Sequence, residues 1–167
     1  MSLIRRILSR RTLAALGAAL PASLGVLADA SPAHAISHTE ATSQLQAAGI
    51  PWTSTGGCND QELSICTSFE RIRPAVIAGI ITFQQASGCA VAITGATETG
   101  HPGLGYSHSN GYKVDIRLSA CVQDYIAANY TYLGYIAGFG HQYESPAGNL
   151  YTRESSHWDI LYYTCGC

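Results

Sequence analysis

Two short stretches concentrate the side chains able to do chemistry. In YSHSNGYKVDI (residues 106–116) His108 precedes Asp115 by seven residues, and in RESSHWDI (residues 153–160) Glu154 precedes His157 by three. His108, Asp115 and His157 make a two-histidine, one-carboxylate ligand set, with Glu154 beside the last ligand. Catalytic zinc uses such a set: three protein ligands and one open position, where a water becomes acidic enough to act as a nucleophile near neutral pH. Glu154 would then be the general base. The same residue types at these distances also occur in proteins that hold no metal, so spacing alone leaves both readings open.

The elements around these residues must bring them together. Residues seven apart in one strand point to opposite faces, so His108 has to lie in a loop ahead of the strand that carries Asp115 and reach back beside it. Gly111 supplies a turn for that. CAVAITGA (89–96) is a β-branched run bounded by glycine and predicts a strand, with YKVDIRL (112–118) its partner across a long glycine-rich loop.

Residues 38–48 show helical spacing at Ala41, Leu45 and Ala48 before Gly49 and Pro51. Thr67 and Glu70 have the spacing of a capping box, and Pro74 opens PAVIAGIITFQQAS, apolar all round until Gly88, which predicts the buried central helix. Ser119 predicts the cap of a helix through about Ala128. YTYLGYIAGF (130–139) fits helix or strand. HQYESPAGNLYT (141–152) predicts a hairpin turning at Pro146–Asn149, and HWDILYY (157–163) a last strand. This order predicts an α+β domain, its mostly antiparallel sheet packed with helices.

The chain has 167 residues, 47% apolar and 12% charged. Its first 35 residues read as an export signal: arginine pairs, a mild Ala/Leu/Gly stretch interrupted by Pro21, and Ala33-His34-Ala35 in the A-x-A form that precedes cleavage. Ser9-Arg10-Arg11-Thr12-Leu13 looks like a twin-arginine signal; an ordinary secretory signal with a basic start is the other reading. Either one predicts a bacterial chain that is secreted or wall-associated, with residues 36–167 as a single domain and no stable membrane anchor. Removing residues 1–35 takes four of the nine basic residues and one of the eleven acidic ones, which leaves a formal charge of −5. That sign argues against nucleic acid as a partner. A small exported chain of this kind is expected to be a monomer.

All six cysteines fall after residue 35, the pattern of a disulfide-stapled exported domain. The expected pairs are Cys58–Cys66, closing a short polar loop, and Cys89–Cys121. Cys165 and Cys167 are harder to place: a direct bridge across one residue is strained, two free thiols are unusual in an oxidising compartment, and metal ligation lacks a second close pair to complete a zinc knuckle, so disulfide use is expected ahead of metal ligation.

HSNGYKVD resembles the H-x-x-G-x-x-x-D signature, and ESSH followed by tryptophan the E-x-x-H-W signature, of the zinc D-Ala-D-Ala peptidases, whose fold is shared with the hedgehog signalling domain. The family includes D-Ala-D-Ala carboxypeptidases, D,D-dipeptidases and L-alanyl-D-glutamate endopeptidases. The resemblance covers roughly residues 70–163 and is specific when both motifs are taken together. It implies His108, Asp115 and His157 as zinc ligands, Glu154 as catalytic base and Trp158 as a wall of the site. The implied cofactor is Zn2+, and the implied substrates are stem peptides or cross-links of peptidoglycan.

One departure stands out. Where the carboxypeptidases and dipeptidases carry S-G-x-R-S, with an arginine for a substrate carboxylate or carbonyl, this chain has TGATETGH. A glutamate at Glu98 repels a terminal carboxylate, which shifts the expectation toward bonds inside a peptide, and Glu98 could instead receive a substrate amine. Tyr106 is a groove candidate by position. His141 could act as an extra electrophile at the reacting carbonyl or be an ordinary loop histidine. His101 reads as a structural or rim residue, and His38 as solvated. Lys113 alternates with Asp115 and so shares its face of the strand. The alternative to an enzyme is a non-catalytic zinc-containing wall-binding module of the same fold; retention of Glu154 beside a full ligand set favours the enzyme.

Overall fold

The computed structural model describes residues 34–101 and 103–167, so the expected export signal lies almost wholly outside the described residues. In chain order the elements are α1 (His38–Ala47), α2 (Pro74–Ser87), β1 (Ile93–Gly95), β2 (Lys113–Arg117), α3 (Ala120–Asn129), β3 (Thr131–Ile136), β4 (Gly140–Glu144), β5 (Leu150–Arg153) and β6 (His157–Leu161). The six strands form one sheet in the order β1-β2-β6-β5-β4-β3, every neighbouring pair antiparallel. The fold is α+β, as the sequence predicts.

The two-residue period of the strands divides the sheet into a core face and a site face. Val114 and Ile116 of β2 and Trp158 and Ile160 of β6 are fully buried on the core face, joined by Val76, Ile77, Ile80 and Phe83 of α2 and Val122 and Ile126 of α3. α2 is the central helix of the core, and Gly79 lets it approach closely: a Cβ there would stand 2.5 Å from the Tyr162 ring. Gly88 ends α2 in the left-handed conformation, with its N–H donating to Gln84 O. Ser119 caps α3 by accepting from the Val122 N–H at 3.2 Å.

The Thr67/Glu70 capping box does not form. Arg71 turns the chain at φ 60°, and α2 starts only at Pro74, with Arg73 as an N-cap that makes no side-chain cap bond. Glu70 instead accepts from the His38 N–H. His38 is not solvated: it lies against Trp52 and Phe69, its Nδ1 accepts from the Phe69 N–H, and burial pulls its pKa down against the nearby Glu70 charge. The ambiguous 130–139 stretch is β3 and its following turn.

Both expected disulfides are present, Cys58–Cys66 and Cys89–Cys121, which fits an oxidising, extracellular setting. The second ties the segment after α2 to the start of α3. Among the described residues no helix is long and apolar enough to cross a membrane.

Candidate metal centre

Asp115 is central to the site face. Its cross-strand partners are Asp159 of β6 and Gly95 of β1, and the row continues through Thr152 and Gln142. Gly95 is the residue this row requires, because a Cβ there would stand 2.5 Å from Asp115 Oδ2 and 3.1 Å from Glu98 Oε1. The segment between β1 and β2 folds back over the row and delivers His101 and His108.

The turn that delivers His108 is built by Gly111. The Gly111 N–H donates to His108 O at 2.7 Å, its φ is +73°, and a Cβ would meet Arg71 O at 2.6 Å. Only glycine satisfies both the left-handed backbone and the close approach. His108 therefore sits in the loop and reaches back to Asp115, as the seven-residue spacing demands.

His108 is buried and its ring is fixed at both nitrogens. Nδ1 lies 2.7 Å from Ala96 O, a carbonyl that can only accept, so Nδ1 carries a hydrogen and Nε2 is the nitrogen turned to the site. Nε2 is 3.3 Å from Asp115 Oδ1 and 3.4 Å from Asp159 Oδ2. Burial works against a charged imidazole there, but the Asp115 and Asp159 carboxylates outweigh it and push the His108 pKa up to about 10. His157 approaches from β6, with Nε2 3.5 Å from the same Oδ1 and 3.7 Å from Glu154 Oε2. The structure thus brings His108, Asp115, His157 and Glu154 together.

His101 also belongs to the cluster, beyond the rim role its sequence context suggests. Its ring stacks on His108 with centroids 4.0 Å apart, and its Nε2 lies 3.9 Å from both Asp115 Oδ2 and Glu98 Oε1. Ligand atoms of His101, His108 and Asp115 all lie within 4.8 Å of one another, a group able to hold a metal ion. The donor set can be tested against such an ion at one atom. Asp115 Oδ1 is buried, accepts no hydrogen bond, and has two imidazole Nε2 atoms beside it. A buried carboxylate oxygen is ordinarily paired; in the metal-free chain the charged His108 imidazole supplies its positive neighbour, and a metal ion among these three atoms would take that place.

Asp159 has no place in either sequence motif, yet it shares the cleft. Lys113 Nζ donates to its Oδ2 at 2.8 Å; burial opposes its charge, but His108 and Lys113 outweigh that and hold its carboxyl below the usual range. The period of β6 contains the signal, since Asp159 is two residues beyond His157 and shares its face.

Three site assignments are corrected. Trp158 does not wall the site: it is one residue from His157, points to the other face of the sheet and is fully buried in the core against Tyr143. His141 is in register with Arg153, which is in register with Trp158, so it lies on the core side of the sheet but is exposed, with its Nδ1 2.8 Å from the Tyr132 hydroxyl. Glu98 is only 3% exposed and is engaged internally, accepting from the N–H groups of Ser68 at 2.9 Å and Ala96 at 3.1 Å. Those bonds and His101 hold its carboxyl below the usual range despite burial. Glu98 fixes the strand end whose carbonyl orients His108.

A cleft of about 360 Å³ opens onto the cluster, lined among others by His101, His108, Glu154, His157 and Asp159, with Leu104, Tyr106 and Phe139 at its edge. Tyr106 is 55% exposed, so it is placed to touch a ligand there. A second hollow, lined by Ile136, Gln142 and Thr152, shares Lys113, Glu154 and Asp159 with the first and extends the groove along the sheet. No family model, curated protein or solved structure matches this chain.

Proposed function

We propose that this chain is an exported zinc-dependent peptidase of the hedgehog and D-Ala-D-Ala peptidase fold that hydrolyses peptide bonds of bacterial cell-wall peptidoglycan. Its export would use the twin-arginine-like signal. The observation that carries the reading is the buried Asp115 Oδ1 between the Nε2 atoms of His108 and His157, at 3.3 and 3.5 Å, with Glu154 Oε2 3.7 Å from that same His157 nitrogen. These are the residues that the H-x-x-G-x-x-x-D and E-x-x-H-W motifs assign to zinc and to the base.

His108, Asp115 and His157 would hold the ion, with His101 in reach of the same carboxylate. Zinc, when bound, supplies a Lewis acid and makes a water acidic near neutral pH. Glu154, which lines the cleft with a quarter of its side chain exposed, takes a proton at its carboxylate and hands it to the leaving amine. Ala96 O keeps the His108 proton on Nδ1 and so keeps Nε2 aimed at Asp115. Leu104, Tyr106 and Phe139 narrow the entrance and limit water.

The charge of the cleft favours an internal peptide bond over a free C-terminal carboxylate. Lys113 is the one lysine or arginine among the described residues lining it, and Asp159 already pairs with it at 2.8 Å. Muropeptides of known structure, incubated with the protein with and without a chelator, test the reading. Chelator-sensitive cleavage is expected, and the product masses name the bond. Zinc-loaded protein that binds wall fragments and leaves them whole would indicate a binding module.

A further inference from the structure

Beyond β6 the chain continues through Cys165-Gly166-Cys167, and these two cysteines are free thiols while the other four are oxidised. The pair is arranged rather than splayed. Gly166 takes a left-handed turn at φ 63°, and the Cys167 N–H lies 3.2 Å from Cys165 Sγ. Cys167 Sγ is 3.4 Å from Oγ1 of Thr82 on α2, which docks the segment on the body of the domain. Cys167 is exposed and Cys165 partly so. A cavity of about 280 Å³ opens beside them, lined by Cys165, Gly166 and the rings of Phe83, Tyr125, Tyr130 and Tyr151 among others.

The two sulfurs differ in character. Hydrogen bonds from the Cys167 thiol and backbone hold the Cys165 thiol below its ordinary pKa, and the same pairing holds Cys167 above it. That division suits an attacking thiolate with a resolving thiol behind it. A bridge across a single residue is strained, and strained, exposed bridges are the labile ones.

We propose that Cys165-Gly166-Cys167 is a thiol–disulfide exchange site, separate from the metal centre, that reacts with disulfides of other molecules. The Cys165 thiolate attacks one sulfur of the incoming disulfide, that S–S bond breaks, and the departing thiolate takes a proton. Cys167, losing its proton, then attacks Cys165 Sγ in the mixed disulfide and expels the second thiol. One intrachain disulfide forms and one external disulfide becomes two thiols, with two electrons and two protons transferred. The reverse reaction delivers a disulfide to a dithiol. The cavity beside Cys165 offers the external group a place to rest against aromatic rings and the polar side chains of Asn129 and Asn149.

The test uses the full domain in glutathione redox buffers, quenched by alkylation and read by peptide mass. The expected result is reversible closing and opening of a Cys165–Cys167 bridge while Cys58–Cys66 and Cys89–Cys121 stay oxidised. Cys167→Ser with oxidised glutathione should trap one glutathionyl group on Cys165, and Cys165→Ser should react at least about tenfold more slowly. Circular dichroism of both variants should match the parent, since the segment lies outside the core. The proposal is overturned if both thiols remain alkylatable in oxidised glutathione, if the bridge opens only together with the other two, or if Cys165 joins a second copy of the chain instead of Cys167.

Discussion

Asp115 Oδ1 lies 3.3 Å from His108 Nε2 and, although buried, accepts no hydrogen bond. A buried anionic oxygen is costly without positive charge beside it, which the His108 imidazolium supplies in the metal-free chain and a bound metal would supply in its place. Asp115→Asn keeps the shape and removes the charge. Zinc affinity measured by competition with a chromogenic chelator should fall by at least about a hundredfold, because a direct ligand counts for more than the outer partners whose loss costs 10–100-fold.

The raised pKa of His108 gives opposite pH signatures with and without metal. In the metal-free chain the imidazole titrates near 10, above the ordinary value of 6.5, so its stabilising charge is fully present below about pH 6.5 and is lost as pH rises toward 10. The urea midpoint of the metal-free protein should therefore decline across that window. Zinc must displace the same proton, so apparent zinc affinity should rise across it. A metal-free stability that climbs from pH 6.5 to 10 would remove His108 from the pairing described.

Glu98 is expected to act through structure. Glu98→Ala leaves the Ser68 and Ala96 N–H groups unpaired in a buried place and should cost about 3 kcal/mol in denaturant unfolding. Zinc affinity should fall with it, since Ala96 O orients His108. A substrate-contacting role alone would leave the unfolding midpoint where it is.

His141 provides a control on the far side of the sheet. His141→Ala removes the contact with Tyr132 and reaches nothing in the cleft, so zinc affinity and muropeptide cleavage should both stay within about twofold of the parent. A larger loss in cleavage with metal content intact would return His141 to the chemistry.

The legible parts of the sequence were those with a strong local period or a glycine with one use. VDI and HWDI alternate cleanly, so β2 and β6 and the pairing of His108 with Asp115 across the Gly111 turn follow from local rules. The same alternation places Asp159 beside His157 and turns Trp158 away, a signal that the two motifs obscured. The face of His141 depends on registers carried through β5 and set by the turn at Ser145–Asn149, which spacing along the chain does not encode. β3 is hard to read because Gly134 breaks its alternation and most of its residues are exposed. His101 joins the cluster only through the path of the loop after β1, and Thr67 and Glu70 lose their cap because Arg71 turns the chain before α2 begins.

The most direct measurement compares the parent with Glu154→Ala for zinc content and muropeptide cleavage in the same preparation. The account predicts about one zinc per chain in both, with cleavage in the parent and a loss of about a hundredfold or more in the variant, as for removal of a general base. A parent that holds zinc and cleaves no wall peptide, or a variant that cleaves as well as the parent, would contradict it.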